Sequence, residues 1–339
     1  MKKSGLGNEM MNEGQVLNAS GPKKRGSSYR WLFITAARSF IVIVCVMIAV
    51  FFLIRIVPGD PAKMILGEYA TPEALGSMHH ALGLDLSLGE QFLRFLSNLF
   101  TQGDTGNSIV SGNSTRVLIA ERAPVTLLLI AMSSVLAIVI ALLLATLAST
   151  NKNKWPDHLI RIFPTVTMGM PVFWVGLLLI LLFGVRLRWF PVGGAGEGWG
   201  MFYSLILPSI TVAFSQMPTL VRSLRAQMLD VLESDFIVTL KAAQIPSRVI
   251  LFKHVLRNAA LPTLMLFGVN LSYLIGGTLV VEQVFGIKGI GSLLFSSISN
   301  RDFPVIQGIA LYCAVAVVII SLLVEIVSWW LDPRTKGKS

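Results

Sequence analysis

Six apolar runs, each close to the roughly 20 residues that a helix needs to cross the hydrocarbon core of a bilayer, constrain this chain more than any other feature. They lie at about 34–56, 125–148, 162–185, 201–221, 261–281 and 304–329. The runs 125–148 and 162–185 contain no charged residue. Lipid admits such runs as helices because a helix satisfies its own backbone hydrogen bonds. Composition closes off the alternatives: 54% of the 339 residues are hydrophobic and 14% are charged, against about 25% charged in a soluble domain. A soluble globular enzyme, a disordered chain and a disulfide scaffold are thereby excluded. The expected fold class is an all-α integral membrane protein with six transmembrane helices.

Basic residues orient the runs. With the N-terminus inside, segments 1–33, 149–161, 222–260 and 330–339 hold eighteen of the 28 Lys and Arg residues, and the outer segments hold eight. This bias places both termini in the cytoplasm of a multi-pass protein of the cell membrane. It also gives the net charge of +10 a role that needs no nucleic acid. Residues 1–30 are polar, rich in Gly, Ser, Asn and Lys, and read as a disordered cytoplasmic tail. The first run is too long for a signal-peptide core, and Pro58-Gly59-Asp60-Pro61 follows it instead of a cleavage site. It is expected to stay as an uncleaved first span over 31–57. A long outer loop at 58–123, a core at 124–331 and a tail at 332–339 complete the expected organisation.

Two loops are longer than connectors. The outer loop carries an amphipathic stretch, Glu90 to Phe100, with Phe92, Leu93, Leu96, Leu99 and Phe100 assigned to one side. It is expected to lie on the membrane face or to cap the bundle. The inner loop 222–260 is basic and helix-patterned. Ser234 or Asp235 is placed to cap a new helix, and Pro246 interrupts the helical pattern. A helix–turn–helix under the membrane is the natural reading, and a partner that pushes on the bundle needs such a platform.

In this loop the stretch from Asp235 through Lys241, Ala242, Ala243, Gln244, Ile245, Pro246 and Arg248 to Pro262 resembles the cytoplasmic coupling loop of ABC importer permeases. The dipeptide/oligopeptide/nickel group is the nearest in pattern, in particular its first, B-type membrane subunit. Other stretches are similar to that group in the same order: Val57 to Pro61, Leu82 to Asp85, Gly103 to Gly106, Ala123 to Leu127, Arg222 to Arg225, Val281 to Phe285, Gly289 to Gly291, Arg301 to Gly308 and Asp332 to Arg334. The likeness covers about residues 31–336. It implies the type I permease fold and a role as the transmembrane subunit of an ATP-driven importer of di- or oligopeptides or related solutes. A nickel or metal-chelate cargo, or glutathione, is the alternative. It also implies four kinds of partner: a second homologous permease subunit, two ATPase subunits that bind ATP and magnesium, an extracytoplasmic solute-binding protein, and membrane lipid. The residues Asp235, Lys241, Ala242, Ala243, Gln244, Ile245, Pro246 and Arg248 are the implied ATPase-coupling set. The family normally has Gly at Gln244. Because Gln does not take a left-handed turn cheaply, Pro246 is expected to fix an alternative turn. Lys288 replaces the family's outer Pro before Gly289, and Lys241 falls where many permeases have an acid.

Catalytic chemistry is not expected on this chain. The one Gly-Lys-Ser, at 337–339, lacks both the preceding Gly of a phosphate loop and a following helix, so no cofactor is expected here. Cys45 and Cys313 lie singly in apolar runs and read as small hydrophobes. His79 and His80 are adjacent and do not face one another on a helix. Arg222, Arg225, Arg248 and Lys253 read as lipid-facing or partner-facing charge. Glu325 is expected to snorkel or to pair with Arg222 or Arg225. Gln216, Asn270 and Ser272 are the candidates to line a wet pathway, with ordinary interhelical hydrogen bonding as the alternative. A stand-alone secondary transporter would show inverted repeats with paired broken helices and several buried ionisable groups. A membrane-embedded enzyme would show a clustered constellation in its spans. Neither pattern is visible.

Overall fold

The computed structural model describes residues 27–56, 60–67, 70–196 and 198–331. The readings placed on residues 1–26, on 57–59 and on 332–339 lie outside them. The described chain is helical. In order come α1 (Ser27–Ile56), α2 (Pro61–Leu66), α3 (Pro72–Leu82), α4 (Leu88–Gln102), α5 (Thr115–Thr150), α6 (Trp155–Met168) and α7 (Val172–Leu179). A π-helical run, Ile180–Arg186, extends α7. Then follow α8 (Trp199–Ser204), α9 (Ile206–Leu232), α10 (Asp235–Ala242), α11 (Ser247–Val249), a second π-helical run Ile250–Val255, α12 (Leu256–Val284), α13 (Ile290–Ser299) and α14 (Phe303–Leu331).

Small residues decide which helices meet. On α5, Ala137, Ala141, Ala145 and Ala148 are buried at three- and four-residue steps and let α9 approach along its length. Leu127, Val135, Val139, Leu143 and Leu147, on other faces of the same helix, stay exposed, as suits a lipid-facing surface. α12 packs beside α9, α14 beside α12, and α1 beside α14 at the margin. Gly268 sets the α12–α14 contact: a Cβ there would lie 2.2 Å from Val324 Cγ2.

Among the described residues, three helices are long and apolar enough to cross a membrane, or four if one bent pair counts as a span. The three are Thr115–Thr150, Ser247–Val284 and Phe303–Val327. The run 162–185 contains Pro164, Gly169 and Pro171, residues that either pack within a helix or kink it, and the bent pair lies there. It is not a single rod: α6 ends at Met168, and the chain turns through 107° before α7. Pro171, which has no N–H to donate, stands as the N-cap of α7. Pro218 and Pro262 lie inside α9 and α12 without ending them.

The long segment between α1 and α5 is folded onto the bundle. Ser87 and Glu90 form a reciprocal capping box that starts α4. Its inward face is Phe92, Phe95, Leu96 and Leu99, packed on Met47 and Phe51 of α1 and Leu311 of α14. Leu93 and Phe100, expected on that side, are exposed. They are seven residues apart and lie about 100° around the helix from the Phe92 stripe. Two of the family-like motifs meet here. Asp302 accepts from Ser108 Oγ and from Ile109 N. Thr105 Oγ1 donates to Pro304 O at 2.9 Å, and Tyr312 Oη donates to Gly103 O at 2.6 Å. Gly308 passes so close to Thr115 that a Cβ would lie 2.3 Å from its methyl group.

Gly268→Leu forces α12 and α14 apart and is expected to cost about 1–3 kcal/mol, the usual penalty of overpacking. The midpoint of thermal unfolding in detergent should fall, and Val324→Ala in the same chain should recover part of the loss.

Candidate functional site

The most built surface of the molecule is the platform at 233–255. α9 ends at Leu232, and Ser234 is the N-cap of α10, as the sequence placed it. The Ser234 hydroxyl donates back to Val231 O instead of accepting from the new helix. α10 buries one residue, Ile237. Ile237 enters a cluster made by Ala145 of α5, Leu224 and Met228 of α9, Ile250 and Val255 of the π-helical run, and Ala259 of α12. One short helix is thereby anchored to the ends of three long ones. Its other faces are open: Phe236 is 43% and Val238 61% exposed. Asp235, Lys241, Ala242, Ala243, Gln244, Pro246 and Arg248 are exposed too, and Ile245 is half-buried. The structure therefore brings the eight coupling candidates onto one continuous surface.

The turn after α10 corrects the reading of Gln244. Gln244 adopts φ 57°, the left-handed conformation. Its N–H donates to Lys241 O at 3.0 Å, and Ile245 N donates to Leu240 O at 3.2 Å. This is a Schellman cap, with Gln in the place that glycine favours. Ile245 and Leu240 both pack on the Ile237 cluster, which completes the hydrophobic contact of that motif. Packing on both sides over-determines the turn, so Gln carries a backbone strain of about 1–2 kcal/mol. Pro246 does not make an alternative turn; it is the N-cap of α11, and its carbonyl accepts from Val249 N and Ile250 N.

Two charge assignments also change. Arg225 is not partner-facing: Nε and Nη2 donate to the two oxygens of Asp157 at 2.6 and 2.8 Å, and Asp157 is fully buried. Glu325 does not pair with Arg222 or Arg225; its Oε1 accepts from Arg38 Nη2 at 2.8 Å. Both corrections depend on which helices are neighbours, and sequence order does not reveal that. The adjacent histidines point to separate carboxylates, His79 to Asp60 and His80 to Asp85.

Of the pathway candidates, Gln216 lies on α9 and Asn270 and Ser272 lie on α12, all half-buried. Ser272 donates to Gly268 O of its own helix at 3.4 Å, a bond within the helix and not between helices.

Sequence reading missed Glu282. It lies near the end of α12 and is fully buried. Oε1 accepts from Thr126 Oγ1 of α5 at 2.7 Å, and Oε2 accepts from Ser292 N of α13 at 2.9 Å. Thr126 Oγ1 in turn accepts from Ile290 N at 2.8 Å. A Cβ at Gly289 would lie 2.4 Å from the carboxylate, and one at Gly291 would lie 2.6 Å from Leu279 Cα. Glu282 thus joins three helices through the N-terminus of α13. The available signal was the Gly-Ile-Gly that begins seven residues after the acid.

Residues 137–337 match the family described as "Binding-protein-dependent transport system inner membrane component", and residues 29–130 match the family described as "Binding-prot-dependent transport system membrane comp, N-term". The glutathione transport system permease protein GsiC of Escherichia coli (strain K12) is 35% identical over 293 residues, which is 86% of this chain and 94% of that protein. A provisionally named peptide transport system permease protein of Brucella abortus (strain 2308) is 34% identical over 304 residues, covering 88% of this chain and 96% of that one. Among solved structures, the MetNI methionine ABC transporter in an inward-facing conformation shares the fold over 63% of this chain and 96% of that chain, with TM-score 0.55 and 14% identity.

Gln244→Gly exchanges the strain at φ 57° for the backbone entropy of glycine, and should leave stability unchanged or raise it by up to about 1 kcal/mol. Gln244→Val, β-branched in the same conformation, should instead speed hydrogen exchange across 235–250. Glu282→Gln keeps the shape but turns an NH2 toward one of the donors, a loss of about 1.5–3 kcal/mol. A lowered unfolding midpoint in detergent is the expected readout.

Proposed function

The chain belongs to the family of binding-protein-dependent transport system inner membrane components, and from that premise we propose that it is the permease subunit forming half of the translocation pathway of an ATP-driven importer of short peptides, tripeptides such as glutathione included. Transport is its role, and hydrolysis belongs to other chains. The observation that carries the reading is the platform: α10 is exposed on most of its surface, yet its Ile237 is locked into the ends of α5, α9 and α12. A surface of that kind receives a push and passes it on.

In this reading an ATPase subunit docks over Phe236, Val238, Lys241 to Gln244 and Arg248. ATP and magnesium bind on the ATPases alone. Their closure favours one position of α10, and the bundle shifts between two arrangements as the bound state selects one of them. A second, homologous permease completes the pathway, and a solute-binding protein delivers cargo to the outer face. The six apolar runs are then six spans: α1, α5, the broken pair α6 and α7, α9, α12 and α14. Both termini and the platform lie in the cytoplasm of a cell-membrane protein, supported by the eighteen basic residues on that side. The boundaries 31–57, 58–123 and 124–331 for the first span, outer loop and core belong to the same proposal. The names of the similar permeases support peptide or glutathione as cargo. Gln216, Asn270 and Ser272 supply polar, uncharged lining to a pathway that a peptide crosses without being held.

Reconstituted in nanodiscs with its partner permease, ATPases and binding protein, the chain should support solute-stimulated ATP hydrolysis; the chain alone should show none. Ala243→Glu should lower ATPase association or solute stimulation by at least about tenfold, equivalent to 1.4 kcal/mol at the interface, with helix content intact. Unchanged transport in that variant, or hydrolysis by the isolated chain, would sink the reading.

A further inference from the structure

Beside the platform, the turn between α5 and α6 is tied to α9 at two points. The turn is tight: Asn153 has φ 61°, and Lys154 N donates to Asn151 O at 2.9 Å. Asp157, in the first turn of α6, accepts from Asn153 N at 3.0 Å. It also receives the two-pronged grip of Arg225, whose side chain is 18% exposed. Eight residues further along, Glu233 pairs with Lys152 at the surface. Glu233 immediately precedes Ser234, the N-cap of α10. Between the two ties Met228 accepts from Ser149 Oγ at 3.6 Å and joins the Ile237 cluster.

These ties differ in kind from the rest of the contact. Ile160 and Phe163 of α6 face Ala137, Ala141, Met217 and Leu220, and such apolar surfaces are non-directional and permit sliding. A bidentate fork fixes register and orientation. Separating it leaves a buried charge without a partner, which is strongly disfavoured. At its other end α6 has no second ion pair to α9 among the described residues; Arg222 Nη2 reaches Met168 Sδ at 2.7 Å, and a thioether is a weak, neutral acceptor. The helix stops at Met168, Gly169 N and Met170 N bond back by three residues, and the direction changes by 107° into α7. Beyond the joint, Gly176 of α7 lies against Thr211 of α9 and Val284 and Phe285 at the end of α12; a Cβ there would be 3.2 Å from Phe285 Cε2.

We propose that Asp157 and Arg225, assisted by Lys152 and Glu233, are positioning residues that make α6 follow α9 and α10 as one body, so that displacement of the platform is delivered to the joint at 169–171 and reorients α7. This rests on the platform being the place where the ATPase docks. The fork converts a push on α10 into rotation at a point about 20 Å away along α6, the length of its 14 residues. An unbroken helix in place of the joint would resist that rotation with its own hydrogen bonds.

The test uses the assembled transporter in nanodiscs and measures solute moved per ATP hydrolysed, basal hydrolysis and ATPase association. Arg225→Lys keeps the charge and loses the fork; Lys152→Glu breaks the exposed tie, where folding is not at stake. Arg225→Lys is expected to retain ATPase association while solute per ATP falls by about tenfold, a typical coupling loss. Exchange of charges in Lys152→Glu with Glu233→Lys should restore whatever Lys152→Glu alone removes. The proposal is overturned if every variant that assembles keeps solute per ATP within about twofold of the parent, or if transport falls only in step with the amount of assembled complex. Ala243→Glu separates the two readings. If it abolishes docking while Arg225→Lys couples normally, the fork fails and the platform stands. If it leaves docking and transport intact, the platform itself fails.

Discussion

Helices surrounded by lipid gain nothing by hiding leucine against leucine, so their association depends on how closely backbones approach and on the polar groups placed between them. That constraint shapes this chain throughout. The alanines of α5 and the glycines at 176, 268 and 308 bring helices to contact distance. Where apolar packing cannot set orientation, a few polar groups do: Glu282 with Thr126 and Ser292, Asp157 with Arg225, and Asp302 with Ser108 and Ile109. Each of these carboxylates is buried and joins segments far apart in sequence. Side chains left over for lipid are plentiful and need no partner.

The polar ties divide the molecule into a frame at one end and the platform at the other. In the frame, α13 is held by Glu282 at its start, and the turn after it is stitched to residues 103–109. At the platform, α10 is held by buried Ile237, half-buried Leu240 and two flanking turns. The contrast suits a machine that must stay shaped at one face and yield at the other. Local stability is lowest where backbone is exposed and buried contacts are few, and α10, with Ile237 its one buried residue, fits that description.

Much of this was legible beforehand. Apolar runs located the long helices because lipid demands them, and Ser234 and Pro246 marked the ends of platform helices because capping is a local matter. The amphipathic α4 was legible to within two residues; Leu93 and Phe100 were misplaced because a face was assigned by proximity instead of by angle. What sequence could not supply were choices among distant partners. Arg225 had carboxylates throughout the chain to choose from, and nothing local points to Asp157. The break at 169–171 was legible as a kink at Pro171, the lesser of two readings because Gly and Pro inside apolar runs are tolerated more often than they interrupt. Gln244 shows the opposite error. The local rule against a left-handed Gln is sound, but Leu240 and Ile245 outweigh it by docking on either side of the turn. The helix–turn–helix of the platform was legible in the sequence, and its anchoring through Ile237 was not.

The π-helical run at Ile250–Val255 has a consequence for chain length. A wide turn of this kind is left when one extra residue is absorbed into a helix and the later turns keep their register. Here it lets both Ile250 and Val255 face the same cluster. Removing one residue from the run would turn everything before it by about 100° relative to α12. Ile237 would swing out of its socket, and Phe236 or Val238 would be offered in its place. The count of residues between Pro246 and Pro262 is therefore a dimension of the fold, as fixed as the tooth spacing of a gear.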